Sequence, residues 1–109
     1  MRIISQNGMN DYPYEQCMIF VNYKERTKLC IAMCGDSDSD NYAELGEYNS
    51  EEDAKFMLEF LSTSYMIDAR SVYLPDAEVA TTLRNRYMEN RKNDERYYTY
   101  LKRMGAHKA

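Results

Sequence analysis

The stretch Arg96-Tyr97-Tyr98-Thr99-Tyr100-Leu101-Lys102-Arg103 interleaves basic and aromatic side chains. Arg and Lys are the donors a phosphate requires, and a nucleobase stacks on a Tyr ring or on a guanidinium plane. On a helix Arg96 and Arg103 are both neighbours of Tyr100, and Arg84, Asn85, Arg91 and Lys92 add donors upstream. The binding set this pattern picks out is Arg84, Arg91, Arg96, Tyr97, Tyr100 and Arg103. Its ligand would be a small phosphate-bearing, nucleotide-like anion. A plainer use of the same residues stands beside this one. Tyr97, Leu101 and Met104 form the apolar stripe of an amphipathic helix, with the bases as its solvated flank or as partners of acids such as Glu95.

Other chemistry is weaker. Asp36, Asp38 and Asp40 alternate like the first ligands of a calcium loop, and Glu47 falls where its closing glutamate would stand. Asn41, however, occupies the position that needs Gly, and the flanks read as strands rather than helices, so a solvated acidic loop fits better. The cysteines (Cys17, Cys30, Cys34) are odd in number and lie in apolar, strand-like runs. A C-x₃-C spacing on a strand is not a recurring zinc pattern, and reduced core thiols of a cytosolic protein are the expectation. His107 is the single histidine, no Gly-rich phosphate loop or Ser elbow is present, and Glu51, Glu52 and Asp53 are best placed to serve a helix start. The expectation is a non-enzymatic chain with no metal and no cofactor.

Charge is divided unevenly along the 109 residues. From Thr81 onward there are 8 Lys/Arg against 3 Asp/Glu, a formal +5; the first 80 residues carry 6 against 15, a formal −9. A basic tail on an acidic body suits an anionic ligand, an acidic protein surface or a neighbouring subunit's acidic face. A long polyanion is disfavoured, because the body would repel it. No run approaches the ~20 apolar residues of a membrane span, and the N-terminus lacks the pattern of a signal peptide, which implies a cytosolic protein. The 11 Tyr and 8 Met, with no Trp, favour half-buried positions and contact surfaces over a dry interior.

The elements that must carry these residues follow from periodicity. Gln16–Tyr23 is a β-branched and aromatic run with Cys17, Ile19, Val21 and Tyr23 on one face. After the polar Lys24-Glu25-Arg26-Thr27 connection, Lys28–Cys34 is a second strand, with Leu29, Ile31 and Met33 together. Tyr42–Tyr48 is a third, and Arg2–Ser5, ended by the Asn7-Gly8 turn, makes a meander of three or four antiparallel strands. Ser50 caps a helix whose Ala54, Met57, Leu58, Leu61 and Tyr65 share a stripe widened by Phe56 and Phe60. Arg70–Leu74 is extended and Pro75 ends it. Asp76 caps a second helix from Ala77, where Ala80, Leu83, Tyr87, Asn90, Asp94, Tyr97, Leu101 and Met104 alternate by three and four as a heptad seam. Its polar members Asn90 and Asp94 mark either a break near Asn93-Asp94 or a polar gap between paired chains.

Four segments carry a resemblance. Met1-Arg2-Ile3-Ile4-Ser5-Gln6-Asn7-Gly8, Asp11-Tyr12-Pro13-Tyr14-Glu15, Leu45–Lys55 and Val72–Val79 resemble small proteins encoded by phages, prophages and mobile elements of Gram-positive bacteria. The order and spacing cover roughly the first 80 residues. Many members stop near the position of Val79, which makes the basic tail an extension. The resemblance implies a phage or prophage accessory protein acting in the host cytosol against host defence, with Thoeris anti-defence sponge proteins as one related type. No binding residue is carried over from them.

The expected architecture is a single α+β domain. It comprises an antiparallel sheet of three to four strands with one capped helix packed on it (residues 1–75), and a C-terminal amphipathic helix or helix pair (76–105). The exposed apolar face of that extension calls for a homodimer or higher oligomer. The functional expectation is sequestration of a signal nucleotide between subunits, with docking on an acidic host protein as the alternative.

Overall fold

The computed structural model describes the backbone of residues 1–33 and 42–103, and within these the side chains as far as residue 92. The fold is α+β. Strands β1 (Arg2–Ile4), β2 (Asp11–Pro13), β3 (Cys17–Val21), β4 (Lys28–Met33) and β5 (Ala43–Glu47) lead into helix α1 (Glu51–Met66). Strand β6 (Ser71–Tyr73) and helix α2 (Ala77–Arg103) follow.

The meander is present as an antiparallel sheet in the order β3-β4-β5. Cys17, Ile19 and Val21 pack toward α1 with the fully buried Leu29 and Ile31, as the alternation requires. Arg2–Ile4 does not join this sheet. It sits at the centre of a second one, ordered β2-β1-β6, antiparallel to β2 and parallel to β6. The Asn7-Gly8 turn returns the chain onto β1, with Gly8 at φ +73 and its N–H donating to the Ser5 carbonyl at 2.8 Å. That return claims one edge of β1. Arg70–Leu74, read as merely extended, supplies β6 and takes the other.

Gln6 braces the two sheets. Its backbone N–H donates to the Leu45 carbonyl at 2.8 Å, and its side-chain amide donates to the carbonyls of Glu47 and Pro75. Its Oε1 accepts from the Glu47 N–H at 3.0 Å. One side chain thereby satisfies backbone groups 41 and 69 positions further along the chain.

Helix α1 begins as its residues dictate. Ser50 is extended, and its hydroxyl accepts from the Asp53 N–H at 3.1 Å, while three acids occupy the first turn. Ala54, Met57 and Leu61 are buried against the β3-β4-β5 sheet, in one core with Ile3, Leu45, Val72, Leu74 and Ala80. At the sequence-predicted stripe's far end Tyr65 is 45 % exposed, its ring lying against Tyr14 at a centroid distance of 4.9 Å.

Helix α2 starts with the Asp76 carboxylate accepting from the Val79 N–H at 2.8 Å. It then runs unbroken to Arg103. No break occurs at Asn93-Asp94; neither residue is a strong helix breaker, and the heptad pattern continues through them. Twenty-seven residues at 1.5 Å each make a rod of about 40 Å. Among the described residues, no helix is long and apolar enough to cross a membrane.

Candidate functional site

Only the start of α2 is held by the body. Ala80 is fully buried, Leu83 packs on the core, and the Tyr87 ring meets the Phe56 ring at a centroid distance of 5.5 Å. These are the first three seam positions. From 85 to 92 every residue is exposed, and beyond the Tyr87 contact with α1 the helix continues as an arm carrying Arg91 and Lys92.

The anchor of that arm is polar as well as apolar. Asp53 is 1 % exposed and faces α2. Its Oδ1 accepts from Arg84 Nε at 2.6 Å and its Oδ2 accepts from the Thr81 hydroxyl at 2.5 Å. Asn49 donates in turn to Thr81 at 3.2 Å. A buried carboxylate is tolerated only when charge and hydrogen bonds both meet it, and here α2 supplies both. Asp53, expected to serve only the helix dipole, is therefore the hinge-pin between the helices.

This geometry sorts the six sequence-predicted ligand residues. Arg84 is brought to Asp53, and its guanidinium is partly committed there. Arg91 is exposed on the arm. Arg96, Tyr97, Tyr100 and Arg103 belong to the same continuous helix, and their side chains lie outside the described set. Helical spacing places Arg91, Arg96, Tyr97, Tyr100 and Arg103 along one rod rather than around a pocket. No family model, curated protein or solved structure matches the chain. The chemistry available to the arm is thus read from its residue types: cations and rings at helical spacing along one rod, the donors and stacking faces an anionic, ring-bearing ligand would use.

Two clefts lie elsewhere. One of about 320 Å³ is bounded by Tyr14, Glu15, Cys17, Ile19, Leu58 and Tyr65. The other, of about 280 Å³, lies beside Gln6, Asn7, Glu44, Leu45 and Gly46. None of the predicted ligand residues lines either. In the first, the N-terminal ammonium of Met1 is paired with the Glu15 carboxylate, and holds it below the usual carboxylate range.

The Asp36–Asp40 loop, Cys34 and His107 fall outside the described residues. Among the described residues, no group of three or more His, Cys, Asp or Glu is placed to hold a metal ion. Cys30 is buried, while Cys17 is half-buried beside the Met33 thioether, 3.5 Å away. Burial pushes the Cys30 thiol up from its ordinary range, with a weaker opposing pull from the Asn22 amide. Iodoacetamide should therefore alkylate Cys30 at least about tenfold more slowly in the native protein than in urea. Peptide mass spectrometry reads this directly, and equal rates would show that the β3-β4-β5 sheet does not protect it.

Proposed function

We propose that the chain is a non-enzymatic accessory protein that sequesters a small phosphate-bearing signal nucleotide where the α2 arms of two subunits meet. Arg91 and Arg96 neutralise phosphate, and Tyr97 and Tyr100 stack on the base. Arg84 stays with Asp53 as the arm's anchor. The observation that carries the reading is the exposed run from 85 to 92: among the described residues, the basic, amphipathic helix is covered by the body as far as Tyr87, while its backbone runs on to Arg103. The resemblance to phage and prophage proteins supplies the setting, sequestration of a host defence signal in the host cytosol.

Thermal shift against a panel of cyclic and linear nucleotides tests this. A ligand that binds only the folded state at a hundredfold excess over its Kd adds about 2.7 kcal/mol, and so raises Tm by roughly 10 °C or more for a chain of this size. Arg91→Glu should abolish the shift, with circular dichroism confirming that the variant folds. If no nucleotide shifts Tm and pull-down recovers a host protein through the arm, the reading passes to the alternative, docking on an acidic protein surface. Met88, 41 % exposed on the arm, gives that alternative an apolar contact.

A further inference from the structure

We infer that the crossing of α1 and α2 is a docking site for the C-terminal turn of α2 from a second copy of this chain. The two arms then lie antiparallel, and each basic tip meets the other copy's acidic helix. This deepens the self-association half of the functional reading and does not depend on the nucleotide half.

At the crossing, Phe56 lies half-buried between Phe60 and Tyr87, with ring centroids 6.4 and 5.5 Å away. Tyr87 remains 40 % exposed. One turn to either side of Phe56 on α1 stand Glu52 and Glu59, both exposed. Among the described residues neither forms an ion pair. The site is therefore an aromatic patch between two uncompensated carboxylates. Its complement is an apolar residue beside cations on a helix.

The end of α2 has that composition in Leu101-Lys102-Arg103. It cannot reach the patch in its own chain, because α2 is unbroken and carries its tip away from the body. Tyr87 and Leu101 are fourteen residues apart, about 21 Å of helix. The tip of another copy's helix closes that distance when the arms lie antiparallel. Antiparallel pairing sets the two helix dipoles in opposition, and a two-fold axis makes the contact reciprocal, so assembly stops at a dimer. The axis falls midway along the arm, near Asn90 and Asp94. The polar seam positions then line the gap between arms instead of interrupting an apolar contact. The division of charge acquires a purpose: the +5 tail neutralises part of a partner's −9 body.

Sedimentation velocity without nucleotide, on wild type, Glu59→Arg, Arg103→Glu and the double variant, tests this. Wild type should be a dimer that weakens with added salt. Each single reversal should raise the dimer dissociation constant at least about tenfold, and the double reversal should restore it. Glu59 is exposed on α1, and circular dichroism checks that every variant folds. A monomeric wild type overturns the inference. So do single reversals that leave the dimer intact, or a double variant no better than the singles. Because nucleotide is absent throughout, these results stand apart from the thermal-shift panel.

Discussion

Replacing Arg84 by Ala should destabilise the protein by about 2–3 kcal/mol, lowering Tm by roughly 10–20 °C. The cost arises from what is left behind. Asp53 is 2 % exposed at its side chain, whereas Arg84 is 30 % exposed, so deletion strands the more buried charge with only the Thr81 hydroxyl against it. The figure sits below the roughly 3–5 kcal/mol of a fully buried pair because Arg84 is 30 % exposed and water can enter where it was. Denaturant unfolding measures the loss. Hydrogen exchange should also show α2 amides from 77 to 88 opening faster while β4 stays protected. A change below about 0.5 kcal/mol would mean that Ala80 and Leu83 hold the arm without the carboxylate.

Leu29→Ala should cost more, about 3–4 kcal/mol. Leu29 is fully buried in the middle strand of β3-β4-β5, paired with Val21 on one side and Gly46 on the other. Deleting it leaves a cavity whose walls cannot collapse. A bulge already sits between Leu29 and Cys30, and Gly46 offers no side chain to fill the space. Urea titration reads the result as a fall in midpoint at unchanged slope. A loss under about 1 kcal/mol would place Leu29 outside the core that organises the sheet.

Both residues bear on how much of the molecule can be read from the chain. Leu29 was legible, because strand alternation puts it with Ile31 on the face that α1 covers. The Ser50 and Asp76 caps were legible for the same reason: each acts on a backbone N–H three residues away, so its signature is local. Arg84 was visible as a cation on a helix, but its partner was not. Asp53 lies 31 positions earlier, and nothing in the local pattern of an acidic first turn distinguishes a dipole-facing carboxylate from one turned toward another helix. Gln6 was invisible for a like reason, since its contacts at Glu47 and Pro75 are set by how two sheets meet. The parallel pairing of β1 with β6 also joins distant segments, each only three residues long and too short to show a period. The binding set followed the same division. Helical spacing placed its members along one rod, and tertiary structure brings Arg84 to Asp53, a contact the local pattern did not show.

Pairing of the arms is the central proposal, and light scattering on the purified 12.9 kDa chain measures it most directly. Two arms that close over a ligand and over each other predict a solution mass of about twice that value at micromolar concentration. A mass equal to a single chain at every concentration and at low salt would contradict both the paired arms and the site between them.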